Sequence, residues 1–136
     1  MPDIFEMTTR PASEVFFSRR DPNDPRLGEI VRSEPKDYAS ADIVIVGCPQ
    51  DEGVRRNGGR VGAADAPRAI REQFYKLTPF NFKKRVFDLG DVQMTGSLEE
   101  THDALTAVVS PTIAAKIRNH FQGDPVPTTP ALPILK

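Results

Sequence analysis

The chain has 136 residues, 18 of them basic and 19 acidic, for a net charge of −1. That length suits one domain, and the near-neutral balance argues against a general polyanion binder, because nucleic-acid-binding proteins usually carry a basic excess. With 38% hydrophobic residues, no Trp and 13 prolines, part of the chain is not expected to join a core.

Residues 1–41 read as an irregular N-terminal arm holding at most one short element. Pro2, Pro11, Pro22, Pro25 and Pro35 interrupt it, and the Arg19–Arg26 stretch is dense in turn formers. The first clear element is Ile43-Val44-Ile45-Val46, four β-branched residues between Asp42 and Gly47. A continuous apolar run suits a strand covered on both faces, as in a parallel sheet.

The stretch from Gly47 to Asp65 reads as a long loop. A helix is expected from Ala66, with Asp65 as its cap and Pro67 in the first turn, where a missing N–H costs little. Ala66, Ala69, Ile70, Phe74 and Leu77 form its apolar stripe, and Pro79 ends it. A second strand is Arg85-Val86-Phe87-Asp88-Leu89, running into Gly90-Asp91-Val92. Ser97 with Glu100 has the form of a capping box, opening a helix with Leu98, Thr101, Leu105, Val108 and Val109 on one face. The order strand, loop, helix, strand, helix predicts an α/β fold with a parallel sheet and flanking helices.

Ser110-Pro111 offers a break or a fresh helix start, and Ile113, Ile117 and Phe121 recur at helical spacing, so residues 110–122 read as a further helix. Residues 123–136 include Pro125, Pro127, Pro130 and Pro133 and read as a flexible, extended tail. A sheet of two strands is a poor core, which predicts marginal folding in isolation.

The loop after Gly47 lies where parallel α/β sheets bind ligands, beyond the carboxyl end of a strand. It is not a nucleotide loop: the Lys-Ser/Thr pair of the Walker pattern is missing, and Gly59-Arg60-Val61-Gly62 matches only half of the dinucleotide pattern. Arg55, Arg56 and Arg60 offer planar forks for a carboxylate, while Asp51 and Glu52 could receive an amidine or guanidinium. Alternatively these charges pair with one another and hold the loop in shape. His102 and His120 make no ligand pair, and His102 reads as a solvated residue. Cys48 is either a nucleophile without an activating histidine or a small buried side chain. Asp88 and Asp91 flank Gly90, a placement that fits function and turn formation equally.

With one cysteine and no charged segment leading into an apolar one near the N-terminus, a cytoplasmic protein is expected. No apolar run is long enough to span a bilayer, so neither membrane nor nucleic acid is expected as a partner.

The ordered set Ile43–Gly47, Asp51-Glu52-Gly53-Val54-Arg55-Arg56-Asn57, Gly59-Arg60-Val61-Gly62-Ala63, Pro67 with Ala69-Ile70-Arg71, and Asp88-Leu89-Gly90-Asp91-Val92 resembles the N-terminal part of the ureohydrolase superfamily. This is the arginase, agmatinase and formimidoylglutamase family, and the Asp51–Asn57 stretch looks most like its formimidoylglutamase-like branch. The resemblance covers residues 42–109. It implies the N-terminal portion of a three-layer α/β fold and, in the complete fold, two manganese ions that activate a hydroxide to attack a linear amidine or guanidine.

The family's metal-binding segments, Gly-Gly-x-His, Asp-Ala-His-x-Asp and Ser-x-Asp-x-Asp, do not occur in this chain. No catalytic or metal-binding residue can therefore be carried across, and no cofactor is expected in the chain itself. Asp51, Glu52, Arg55, Arg56, Asn57 and Arg60 carry over as candidate walls of a substrate pocket. The expectation is a truncated or divergent ureohydrolase, inactive alone. The alternatives are a non-catalytic subunit partnering a full-length relative or itself, and a small carboxylate-binding module.

Overall fold

The computed structural model describes residues 3–94 and 97–120, the side chains of 116–120 excepted. Three strands form one sheet in the order β1-β3-β2: β1 (Thr8–Thr9), β2 (Ile43–Gly47) and the central β3 (Val86–Val92). The two strands expected from the sequence pair in parallel, Ile43 opposite Val86 and Gly47 opposite Asp91. The third comes from the N-terminal arm. Thr8 and Thr9 pair antiparallel with Val92 and Asp91, and Arg32 bridges to Phe87 through Arg32 N–H to the Val86 carbonyl (3.0 Å) and Asp88 N–H to the Arg32 carbonyl (2.7 Å). Since β2 occupies one edge of β3, β1 and Arg32 share the other. The arm thus satisfies backbone groups that a two-strand sheet would leave open.

The arm also holds α1 (Leu27–Ile30), more structure than its proline pattern suggests. Leu27 N–H bonds to the Leu77 carbonyl and Gly28 N–H to that of Tyr75, tying the arm to the segment just after the helix that begins at Ala66.

One residue too many stands in β3. Ile45 faces Asp88 but Val46 faces Gly90, so Leu89 is the extra residue of a bulge. Gly90 takes φ +89°, and a Cβ there would stand 1.9 Å from the Thr9 carbonyl oxygen. Only glycine fits this position, because it permits both the left-handed turn and the close approach of β1.

Alternation along the strands divides the core between the two faces of the sheet. Val86 and Ile45 pack with Val15, Leu27, Val31 and Tyr75 on one face. Phe87 and Leu89 pack with Val92, Ala41 and Val108 on the other. Phe5 and Tyr38 stand edge-on to each other and to Phe87, geometry that aromatic quadrupoles favour.

The second face is covered by α4 (Leu98–His120), which runs through Pro111 without a break, so Ser110-Pro111 starts no new helix. The Ser97 Oγ accepts from Glu100 N–H at 3.1 Å, as the capping pattern predicts. Thr101 and Val108 are buried, while Leu98, Leu105 and Val109 are partly so. Phe121 and the tail at 123–136 lie outside the described residues. No helix among the described residues is long and apolar enough to cross a membrane.

Two expectations about residues 47–77 need correction. The long loop is not wholly irregular, because it contains α2 (Glu52–Arg56) and a single 3-10 turn at Ala63–Asp65 that leads directly into α3 (Ala66–Phe74). That turn sets Asp65 in helical backbone geometry, and its side chain makes no capping bond, while Pro67 does occupy the first turn. The apolar stripe of α3 does not face the core either: Ile70 is 64% exposed, Phe74 39% and Leu77, beyond the helix end, 54%. The helix instead buries Arg71 and, one turn on, Tyr75. These polar residues can be buried because their charged and hydroxyl ends meet partners on β3.

Candidate functional site

Two arginine-centred clusters lie near the carboxyl ends of β2 and β3. The first is on α2 and contains the residues singled out from the sequence. Glu52 accepts from Arg55 Nε (2.7 Å) and NH2 (2.5 Å), and from Arg56 Nε at 3.2 Å. Arg56 NH1 reaches across to Glu99 of α4 at 2.9 Å. Hydrogen bonds from Arg55, then from Arg56, outweigh the opposing effect of burial and hold the Glu52 carboxyl at about 2. Arg56 likewise lowers the Glu99 carboxyl.

Asp51 ties the far end of the loop back, accepting from Gly62 N–H at 3.1 Å. Gln50 anchors the near end: its Oε1 caps Glu52 N–H at 2.7 Å and its Nε2 donates to Thr101 at 2.8 Å. Asn57 closes α2, its N–H bonding to the Gly53 carbonyl, and its side chain is exposed. Arg60 is exposed and has no ion pair among the described residues. The six residues therefore lie on one loop, with Glu52, Arg55 and Arg56 bound to one another, Asp51 bound to backbone, and Asn57 and Arg60 facing solvent.

The second cluster is buried; the sequence marks Asp88 and Asp91 beside Gly90, but not their partners Arg71 and Tyr75. Arg71, 5% exposed, grips Asp88 with Nε (2.8 Å) and NH2 (3.0 Å), Asp91 Oδ1 with NH1 (2.6 Å), and the Gly90 carbonyl with NH2 (3.0 Å). Asp88 also accepts from the Tyr75 hydroxyl and from Gly90 N–H at 2.9 Å. Burial alone would lower the Arg71 pKa, but the hydrogen bonds Arg71 donates to Asp88 and Asp91 overcome it and raise the value. Burial also pushes the Tyr75 phenol up, and the Asp88 carboxylate reinforces this. The sequence did carry a signal: an Arg and a Tyr four apart on a helix, with two Asp flanking a strand glycine.

Chemically, Asp88 is saturated. It receives four donors, so it has no lone pair to spare as a base or a metal ligand. Asp91 keeps a partly exposed carboxylate against Gly47, where a Cβ would stand 1.9 Å from its Oδ1. Cys48 follows, its thiol pushed up first by burial and then by the Asp91 charge, the opposite of what an activated nucleophile needs. His102 is exposed on α4.

An open apolar cleft of about 450 Å³ lies between the end of β2 and α3, lined by Ile45, Gly47, Ala66, Pro67, Ile70 and Phe74, with Cys48 and Arg71 beside them. None of the six loop residues lines it.

The model of the arginase family matches residues 41–130. The chain belongs to the arginase family. The match extends past Val109, the limit of the resemblance expected from the motifs, and takes in the whole strand-to-helix region described above. This arginase-family chain is 37% identical over 123 residues to a formimidoylglutamase of Salmonella heidelberg, covering 83% of the chain and 39% of that protein. It is 39% identical over 98 residues to a formimidoylglutamase of Klebsiella pneumoniae, covering 68% and 30%. Among solved structures it is similar to Trypanosoma cruzi formiminoglutamase with manganese, at 37% identity and a TM-score of 0.58 over 68% of the chain and 33% of that protein. The chain thus spans 30–39% of the length of these formimidoylglutamase-like relatives.

A manganese pair does not fit the residues at hand. Among the described residues no three His, Cys, Asp or Glu side chains lie together as a metal site. Asp88 and Asp91 of β3 already hold the Arg71 guanidinium where a cation would sit.

Proposed function

We propose that these 136 residues form the N-terminal wall of a formimidoylglutamase-like catalytic fold, serving C–N bond hydrolysis of a linear amidine without performing it alone. The observation that carries this reading is the buried Arg71–Asp88–Asp91 cluster in an arginase-family chain. It spends the strand-end carboxylates on holding the fold together, so the metal ligands of the reaction have to come from elsewhere.

Within this reading, Asp51, Glu52, Arg55, Arg56, Asn57 and Arg60 stand at the mouth of the substrate pocket. Arg60, without an ion pair among the described residues, is the fork open to a substrate carboxylate, while Arg55 and Arg56 must first give up Glu52 or Glu99. An exposed pair exchanges partners at little cost, because it gains little in water.

The test is to incubate the purified chain with manganese and formimidoylglutamate, following formamide release and bound metal. The expected result is no release above the enzyme-free rate and no stoichiometric metal. Formamide release together with tightly bound metal would overturn the reading.

A further inference from the structure

A third polar junction, apart from the two arginine clusters, ties the start of α2 to α4 and to the segment after β3, and it closes on a thioether. Gln50 stands at its centre. The Glu52 N–H donates to one end of the Gln50 amide at 2.7 Å, so that end is the carbonyl oxygen and Nε2 faces the other way. One Nε2 hydrogen goes to Thr101 Oγ1 at 2.8 Å, and the other serves Met94 Sδ at 3.9 Å. Thr101, only 3% exposed, also lies 3.8 Å from the sulfur. Its single hydroxyl hydrogen has a better acceptor in the Ser97 carbonyl at 2.9 Å. The sulfur is thus the weak acceptor of a junction whose other bonds are short.

Met94 is also open to solvent. Its side chain is 37% exposed just past the end of β3, whereas Met7 is half-buried and packed against the core around Phe87 and Leu89. An accessible thioether can take an oxygen atom from a hydroperoxide. A sulfur lone pair attacks the outer peroxide oxygen, the O–O bond breaks, and water or an alcohol leaves with the proton. The sulfur loses two electrons and the peroxide gains them. The product is a sulfoxide, polar where the thioether was apolar, with an oxygen that accepts far better than the sulfur did.

That oxygen meets a donor already in place. Added on the Gln50 side of the sulfur, it shortens the 3.9 Å gap to an ordinary N–H···O length of about 2.9 Å. Gln50 then makes three full hydrogen bonds, to α2, to α4 and to the segment after β3. We propose that Met94 is a site of reversible oxidation by hydroperoxides, and that its sulfoxide locks the start of the α2 rim onto α4 through Gln50. A sulfoxide has two epimers and only one turns its oxygen toward Gln50, so a reductase specific to that epimer releases the lock. The oxidation and the lock need this geometry alone, whereas what a locked rim does to a substrate rests on the proposed function.

The test treats the full 136-residue chain with hydrogen peroxide and follows it by peptide mass spectrometry and amide exchange. Met94 should oxidise about tenfold faster than Met7, since susceptibility follows exposure. Exchange at Glu52 and Arg55, whose N–H groups bond to Gln50 and Asp51, should slow about two- to tenfold, the factor that one added hydrogen bond gives. One epimer-specific methionine sulfoxide reductase should restore it and the other should not. Met94→Leu, which keeps Cys48, should show no slowing. Gln50→Leu should still oxidise at Met94 but without slowing at Arg55. Should Gln50→Leu fail to fold, Met94→Leu and the reductases decide.

Oxidation of Met94 no faster than that of Met7 overturns the proposal. So does unchanged or faster exchange at Glu52 and Arg55 once Met94 is oxidised, or slowing that persists in Met94→Leu. Formamide release by the chain alone would overturn only the proposed function, so the two failures are distinguishable.

Discussion

The two arginine clusters stand near the carboxyl ends of the parallel strands of one small sheet and use the same chemistry, yet they hold their charges at opposite extremes of solvent exposure. The side chain of Arg71 is 6% exposed and that of its partner Asp88 0%, whereas Arg55 is 65% exposed beside Glu52. In the buried cluster every atom of the Asp88 carboxylate is spoken for, and removing one partner strands the other in a low-dielectric interior. In the exposed cluster water replaces whatever is removed. The first is an anchor joining α3 to the bulge of β3, and the second is an adjustable rim.

Breaking the anchor should have the largest effect. Asp88→Ala leaves Arg71 unpaired and Tyr75 without its acceptor, and should cost about 3–5 kcal/mol in urea unfolding. Pairing Asp88→Leu with Arg71→Met should recover much of that loss, since apolar replacement of a whole buried pair is often tolerated. A double variant as unstable as Asp88→Ala would show that the cluster's value is not mutual neutralisation.

Tyr75→Phe comes next. It removes one hydrogen bond to a buried carboxylate while keeping the ring stacked on Phe16 at 5.2 Å, and should lower stability by about 1.5–3 kcal/mol. Gly90→Ala tests the bulge against β1, with a strain cost of about 1–3 kcal/mol. Its distinguishing sign is faster amide exchange at Thr8 and Thr9, because the new Cβ would displace the Thr9 carbonyl.

The exposed rim should respond least. Arg55→Ala is expected to leave the thermal melt unchanged at moderate salt. Its signature is pH dependence: Glu52 is held at about 2, below its usual 4.5, chiefly by Arg55. A depressed carboxylate contributes stability above its unfolded pKa and loses it as pH falls through the folded value. The small contribution of Glu52 should therefore fade between about pH 4.5 and 2 and shrink in high salt. A loss on raising the pH instead would contradict the pairing.

The same contrast explains what could be read from residue order. Ile43–Val46 is legible as a strand because a β-branched run leaves few other choices, and its parallel pairing with Val86–Leu89 follows from the strand-helix-strand order. The existence of α3 was legible too, but not its facing. Apolar periodicity points Ile70 and Phe74 inward, whereas the structure buries Arg71 and Tyr75, whose partners Asp88 and Asp91 lie 13–20 residues away in sequence. β1 escaped notice because two residues carry no periodicity, and α2 because Gly53 and two arginines resemble a loop. The six rim residues lie on one loop, which their order in the chain already shows, while the joining of Arg71 and Tyr75 to Asp88 and Asp91 needed the third dimension to be seen.

The central claim is that this chain supplies a wall and not a complete site. Formamide release from formimidoylglutamate by the purified chain, with manganese present and bound metal followed alongside, tests it most directly. The account predicts no release above the enzyme-free rate and no stoichiometric metal. Release by the chain with tightly bound metal would contradict it.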